Sequence, residues 1–562
     1  MFDLLAPKDP QDRRDGFYIL LDQNVGGIPQ ADGIGRHPIY LDGDRLTTLA
    51  KIVGGIVDPS MLEMLTTSRG FHQLIHSIGV SAQASDQAMD LTFSMSFYGE
   101  DSPDSGSCRR FPVKADGVEM VIPLSAFDLL EDDRAPRQLL FELPTDKSTA
   151  AVTVKLYLND GFRAPDMDPD GPVDLESPAY QEMISRSFLS GGNNYRVKRM
   201  LENLRRGEPV TLAYLGGSIT QGAGAVPIQE MCYARQSFEA IRARYGSEEG
   251  AVHYIKAGVG GTPSQLGMLR YDRDIGRDGT AEPDLVVIEF AVNDEGDETQ
   301  GVCYESLVKK ILDQPQHPAV ILLFSVFAND WNLKDRLAPI GFRYQLPMVD
   351  VLEAVSPQFS QPKGEGRVLS KRQYFYDVYH PSNLGHRIMA DCLLYLLDRL
   401  DRQQLMKEPE AAVPFLYGTD YAAVRLLDRK DGYSTAMIDP GSFIQQDAEL
   451  QTVPLDSAVE NTPQFPHNWK MGEGDAPFVL EMPCKSLHLI FKDSGRPEFG
   501  KALVCVDGGH ERVLDPREAG WTHCHATLLF NGGETERHRV EIRMAPIDAD
   551  KTFTILGFGY VP

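Results

Sequence analysis

The chain has 562 residues, with 55 basic and 81 acidic side chains and a formal net charge of −26; at roughly 150 residues per domain that length calls for three to four domains. Hydrophobic residues at 42% and charged residues at 24% sit near the globular average, which excludes disordered, collagen-like and disulfide-scaffold classes. The excess of acid repels phosphate backbones and anionic lipid, so neither nucleic acid nor a membrane is an expected partner.

The first residues, Met1-Phe-Asp-Leu-Leu-Ala-Pro-Lys, show no basic stretch followed by an apolar run, so no secretory leader is expected. No run approaches the roughly 18 apolar residues of a spanning helix. Seven cysteines, odd in number and without a CxxC pair, read as reduced thiols of a cytoplasmic protein. His523-Cys524-His525 is the nearest approach to a metal cluster; alternation along a strand puts both imidazoles on one face, but two ligands make no site. No metal and no cofactor are expected.

Taken in chain order, residues 15–160 show short alternating runs such as Leu91–Tyr98, Gln138–Leu143 and Ala151–Leu158, the period of antiparallel strands. Asp160–Pro178, rich in Asp, Pro and Gly, reads as a linker. Near-continuous apolar runs follow at Val210–Leu215, Val252–Ile255, Leu285–Phe290 and Ala319–Val326, as a parallel sheet buried on both faces requires. Amphipathic stretches at Arg235–Arg244 and Tyr304–Leu312 supply crossover helices, and a helix over Asn383–Leu400 closes the unit. After Lys407–Pro414, short strands resume, from Phe478–Met482 and Leu487–Phe491 through Ala526–Phe530 and Val540–Met544 to Phe553–Phe558. The expected division is a β-sandwich over 1–175, an α/β unit over 185–405 and a second β-sandwich over 415–562, the flanking units jelly-roll-like.

Four segments at successive strand ends carry the candidate chemistry. Tyr214-Leu-Gly-Gly-Ser-Ile-Thr-Gln-Gly222 places Ser218 in a glycine-rich strand-to-helix turn, at the sheet edge where open α/β folds bind ligands. Alone it reads equally as a phosphate-binding or plain tight turn; a Walker loop is excluded, because no GK[ST] follows. Ala257-Gly-Val-Gly-Gly-Thr262 exposes backbone N–H donors, and Ala291-Val-Asn-Asp294 offers the Asn293 amide. In Tyr376-Asp-Val-Tyr-His-Pro-Ser-Asn-Leu-Gly-His386, Asp377 stands three residues before His380, a spacing that lets a carboxylate orient an imidazole as base for a serine.

These four blocks, across about residues 195–400, resemble those of the SGNH or GDSL-like hydrolases. The resemblance implies a three-layer α/β/α sandwich on a five-stranded parallel sheet, with Ser218 as nucleophile, His380 as base and Asp377 as its orienter. It also implies an oxyanion hole from Ser218, Gly261 and Asn293. Gly217 stands where the namesake motif has an acid, and Ala291 where glycine is usual. Gly260 and Gly261 are adjacent, and the match to the family motif favours Gly261. An α/β-hydrolase fits less well, since its elbow calls for glycine where Thr220 stands and its acid and histidine usually come from separate loops.

With flanking β-sandwiches, the arrangement is similar to acetyl esterases that remove O-acetyl groups from xylan or mannan fragments, here a small-molecule or oligosaccharide ester. Trp469 and Trp521 are candidate sugar-stacking residues, against the simpler reading as core or interface aromatics. Trp331, after the fourth strand, is a candidate substrate contact. Three alternatives stay open: a general short-chain carboxylesterase or lysophospholipase, a carbohydrate-binding protein with an inactive core, and flanking units that serve only as covers or homo-oligomer contacts.

Overall fold

A computed structural model describes residues 14–28, 32–84, 89–100, 105–127, 132–165, 170–247, 250–410 and 413–562. The segment read for a leader, and part of the expected linker, lie outside them.

The centre is a six-stranded sheet in the order Val252–Gly258, Val210–Gly216, Leu285–Glu289, Ala319–Phe324, Met348–Asp350, Phe188–Ser190. The first five are parallel. Phe188–Ser190 is an antiparallel edge strand, so Val210–Gly216 is not the first strand of this unit; three residues carry too short a pattern for period-two reading. Successive strand residues serve opposite faces: Leu212, Tyr214, Val287 and Ile321 enter one apolar cluster with helices such as Tyr233–Tyr245 and Asn383–Arg402. Ala213, Leu215, Val286 and Leu322 enter another, with Ser264–Leu269 and Val302–Leu312. Burial on both faces is why the strands are apolar throughout. The chain passes from Val210–Gly216 to one neighbour and then returns to start the other, so the sheet's topological switch point lies beside Val210–Gly216, the position at which open α/β sheets bind ligands outside the carboxyl ends of their strands.

N-terminal to this sheet stand two four-stranded antiparallel sheets, with one apolar core including Phe93, Phe141, Ile78 and Val154. Three helices, Arg45–Ile52, Pro59–Met64 and Ser68–Leu74, interrupt the expected strands; Asp58 and Thr67 cap the second and third by accepting from Ser60 N and Gly70 N, a cap chemistry favoured before a first helical turn.

The C-terminal unit is an antiparallel eight-stranded sheet with a separate two-stranded ladder, Thr452–Val453 against Thr462–Pro463. The two expected strands at 478–482 and 487–491 are one, Phe478–Asp493, with a bulge between Cys484 and Ser486 absorbing the interruption. Likewise 526–530 and 540–544 belong to one strand, His523–Met544, whose pairing jumps from Asn531 to Glu536, so the Gly-Gly segment bulges out without ending the strand. This sheet is not packed independently. Ile490, Cys524, Leu556 and Val561 share a cluster with Leu266, Leu269 and Val308 of the α/β unit.

Candidate active site

Val210–Gly216 ends in a four-residue helical turn, Ser218–Gln221, that places Ser218 at the switch point. Ser218 Oγ lies 2.9 Å from His380 Nε2, and His380 Nδ1 lies 2.8 Å from Asp377 Oδ2 and 3.0 Å from Oδ1. Asp377 Oδ1 also accepts the backbone N–H groups of Tyr379 and His380, each at 2.8 Å. Burial opposes the Asp377 charge, yet the neighbouring imidazole and these hydrogen bonds win and hold its carboxyl below the ordinary value. Two residues on its C-terminal side hold His380 in place. Pro381 keeps it out of the helical region, and Ser382 caps the Asn383–Arg402 helix by accepting from Gly385 N.

The second histidine of this block, His386, cannot share the role. Its Nδ1 accepts Tyr233 N–H at 3.2 Å and its Nε2 donates to Ala223 O at 3.0 Å, and burial pushes its pKa down to about 4. Both nitrogens are committed, and the ring is neutral.

The neighbouring loops bring donors to Ser218. Gly260 N–H is consumed by Gln221 Oε1 at 2.9 Å, whereas Gly261 N–H has no acceptor among the described residues. Gly261 has φ +70°, a left-handed conformation that favours glycine. Asn293 lies against Gly217, where a Cβ would stand 2.7 Å from the Asn293 Cγ. A side chain at 217 would displace that amide. The methyl of Ala291 is absorbed in the buried cluster with Phe290 and Leu307.

Several supporting residues escaped the sequence reading. Glu289, fully buried at the end of Leu285–Glu289, accepts Ser325 Oγ at 2.5 Å and Thr220 Oγ1 at 3.2 Å. Burial pushes its pKa up to about 7 against the pull of these hydrogen bonds. Arg270, also fully buried, donates to Gly216 O at 3.0 Å and Ala257 O at 2.9 Å, tying together the ends of two strands, and pairs with Asp274.

Both flanking units reach this site. From the N-terminal unit, His37 bonds the Tyr376 hydroxyl, Asp44 accepts from the Tyr379 hydroxyl at 3.3 Å, and Arg45 lies 5.3 Å over the Tyr379 ring. From the C-terminal unit, Gln451 Nε2 donates to Gly260 O at 2.8 Å while its Oε1 accepts Cys524 N–H at 2.9 Å. The Trp521 indole covers Gly261, 2.7 Å from where a Cβ would be, and is 46% exposed. Trp469 is fully buried and packs on Phe478, as a core aromatic. Trp331 stacks on Phe327, which meets Tyr379 edge-on, so it stands one ring removed from the His380 loop. A cavity of about 770 Å³, lined by Arg196, Lys309, Ala319 and Leu405 among others, opens at the amino end of Ala319–Phe324, away from Ser218.

Residues 214–388 match the GDSL-like Lipase/Acylhydrolase family, which bears out the resemblance read from the motifs: the chain holds a hydrolase unit of GDSL-like fold with an antiparallel β unit on its C-terminal side. More particularly, it is similar to a solved two-domain esterase (CEX) active on acetylated mannans, at 26% identity and a TM-score of 0.58, covering 67% of this chain and 98% of that one. A structure of a two-domain esterase (CEX) active on acetylated mannans, co-crystallized with mannopentaose, is similar at 27% identity and a TM-score of 0.57, with the same coverage. No curated protein matches the sequence.

Proposed function

We propose that the chain is a serine esterase that removes O-acetyl groups from acetylated oligosaccharides of mannan or xylan type. The observation that carries this reading is the continuous hydrogen-bonded line Ser218 Oγ, His380 Nε2, His380 Nδ1, Asp377 Oδ2 at the switch point of a GDSL-like fold. In the reaction, His380 Nε2 takes the hydroxyl proton as Ser218 Oγ attacks the acetyl carbonyl. Asp377 stabilises the imidazolium, which then gives the proton to the departing sugar oxygen. Water, deprotonated by the same nitrogen, attacks the acetyl-serine and releases acetate. The oxyanion is held by the N–H groups of Ser218 and Gly261 and by the Asn293 amide; the commitment of Gly260 N–H to Gln221 supports Gly261 as the donor.

The covered faces of the central sheet support a three-layer α/β/α organisation, and the paired sheets before it support an N-terminal β-sandwich. For the substrate, the support is the likeness to esterases active on acetylated mannans and the half-exposed Trp521 beside Gly261, placed to stack on a sugar ring. A chain of −26 charge is compatible with neutral acetylated sugars. The test compares acetylated manno- and xylo-oligosaccharides with p-nitrophenyl esters of rising chain length. Faster turnover of the oligosaccharides supports the reading; a strong preference for long acyl chains would replace it with a lipase-type activity.

A further inference from the structure

The His523-Cys524-His525 run lacks a third ligand in sequence, and the fold supplies it. Antiparallel pairing sets Asp493 directly opposite His523, and His525 opposite Phe491. Alternation puts His523 and His525 on the same side of their strand, and Cys524 on the other. One ligating atom from each of Asp493, His523 and His525 lies within 4.8 Å of the other two. Ligands about a tetrahedral zinc ion stand about 3.4 Å apart, within that limit.

Two observations distinguish this group from a chance cluster. Asp493 is 1% exposed; its Oδ2 accepts Ala519 N–H at 3.2 Å, but its Oδ1 is buried with no hydrogen-bond partner. A buried carboxylate oxygen left unpaired is costly, and a cation opposite it removes the cost. His523 Nδ1 meets the Trp521 carbonyl at 3.3 Å. A ligating histidine usually donates its second nitrogen to such a carbonyl, which leaves the Nε2 lone pair for the metal.

We infer that Asp493, His523 and His525 form a site for one divalent transition-metal ion, of the zinc class, that holds Trp521 over the oxyanion loop. Two imidazoles and one carboxylate suit Zn²⁺ better than a hard, all-oxygen-seeking Ca²⁺ or Mg²⁺. Three protein ligands leave the fourth position for water. The second half of the inference follows from continuity: the Trp521 ring stacks on His523 at 4.6 Å with an interplanar angle of 22°, and the same indole covers Gly261. Fixing His523 therefore fixes the indole.

The metal half is independent of the esterase reading. Full-length protein stripped with a chelator is titrated with ZnCl₂ by calorimetry and with Co²⁺ by visible absorption. The expected result is one equivalent per chain, a tetrahedral cobalt spectrum without thiolate charge transfer, and loss of binding in His525→Ala and in Asp493→Ala. His525 is partly exposed, so H525A keeps the test valid if D493A fails to fold. No binding by wild type, or undiminished binding by H525A, overturns the site. The positioning half rests on the proposed substrate. Metal removal should raise KM for acetylated manno-oligosaccharide several-fold, reversibly, while kcat for p-nitrophenyl acetate stays constant. An unchanged KM on metal removal overturns positioning alone.

Discussion

Gly217→Ala tests whether Asn293 acts in the oxyanion hole, through a single added methyl. Gly217 has φ −86°, so alanine meets no left-handed strain. The new Cβ would stand 2.7 Å from Asn293 Cγ, where ordinary contact begins at 3.4 Å, so the amide must retreat by at least about 0.7 Å. The side chain is confined: its Oδ1 is buried without a partner, and Ala291 and Val292 before it are packed in the buried core. An oxyanion donor displaced that far is effectively removed, which costs about 2.7–4 kcal/mol, or 10²- to 10³-fold in kcat. Overpacking costs a further ~1–3 kcal/mol of stability. The assay is steady-state hydrolysis of p-nitrophenyl acetate for wild type, G217A, Asn293→Ala and the double variant, with thermal unfolding alongside. Expected are a kcat loss of about 10² or more in G217A, a similar loss in N293A, and little further loss in the double variant, since both remove the same donor. Wild-type kcat in folded G217A, or losses that multiply in the double variant, would refute the assignment of Asn293 and this account of Gly217.

The buried Glu289 has a folded pKa of about 7 against an ordinary value of 4.5, so its neutral form is favoured by folding; the stabilisation is full below the unfolded value and lost as pH rises through 7. Glu289→Gln should therefore show a shallower fall in Tm between about pH 4.5 and 7 than wild type, and an equal slope would mean that Glu289 stays ionised in the fold. Gln451→Ala leaves the buried Cys524 N–H and the Gly260 carbonyl unpaired, so urea unfolding should show a loss of about 2–4 kcal/mol, with reduced kcat as the oxyanion loop loosens; a loss below about 0.5 kcal/mol would mean that the bridge contributes nothing. Tyr376→Phe removes the hydrogen bond to His37 and should cost about 1 kcal/mol of stability and less than tenfold in kcat, a larger kcat loss pointing to a direct role for the hydroxyl.

The residues legible in the sequence are those whose signal is local. Ser218, Asn293, Asp377 and His380 each follow a strand or precede a helix within a few residues, so spacing alone placed them at one sheet edge. Gly260 and Gly261 are indistinguishable by type; only the Gln221 side chain, 39 residues away, separates them by occupying one N–H. Arg270 and Glu289 gave no signal, because a charged residue buried under strand ends looks like any surface charge until its partners are known. Gln451 was equally silent, and Trp521, read only as a candidate sugar-stacking or core aromatic, gave no sign of its place over Gly261, since contacts between units separated by roughly 190 to 260 positions follow no period. The merged C-terminal strands show the same limit: a glycine pair reads as a turn, yet a bulge lets the strand continue through it.

The central claim is that Ser218 is acetylated during turnover, with His380 as its base. Its most direct test is to acid-quench the enzyme during steady-state hydrolysis of an acetylated oligosaccharide and locate the acyl group by peptide mass spectrometry. The account predicts an acetyl group on Ser218 in wild type, none in folded Ser218→Ala, and a fall in kcat of at least about 10⁴-fold in that variant. An acetyl group on another residue, or turnover retained in S218A, would contradict it.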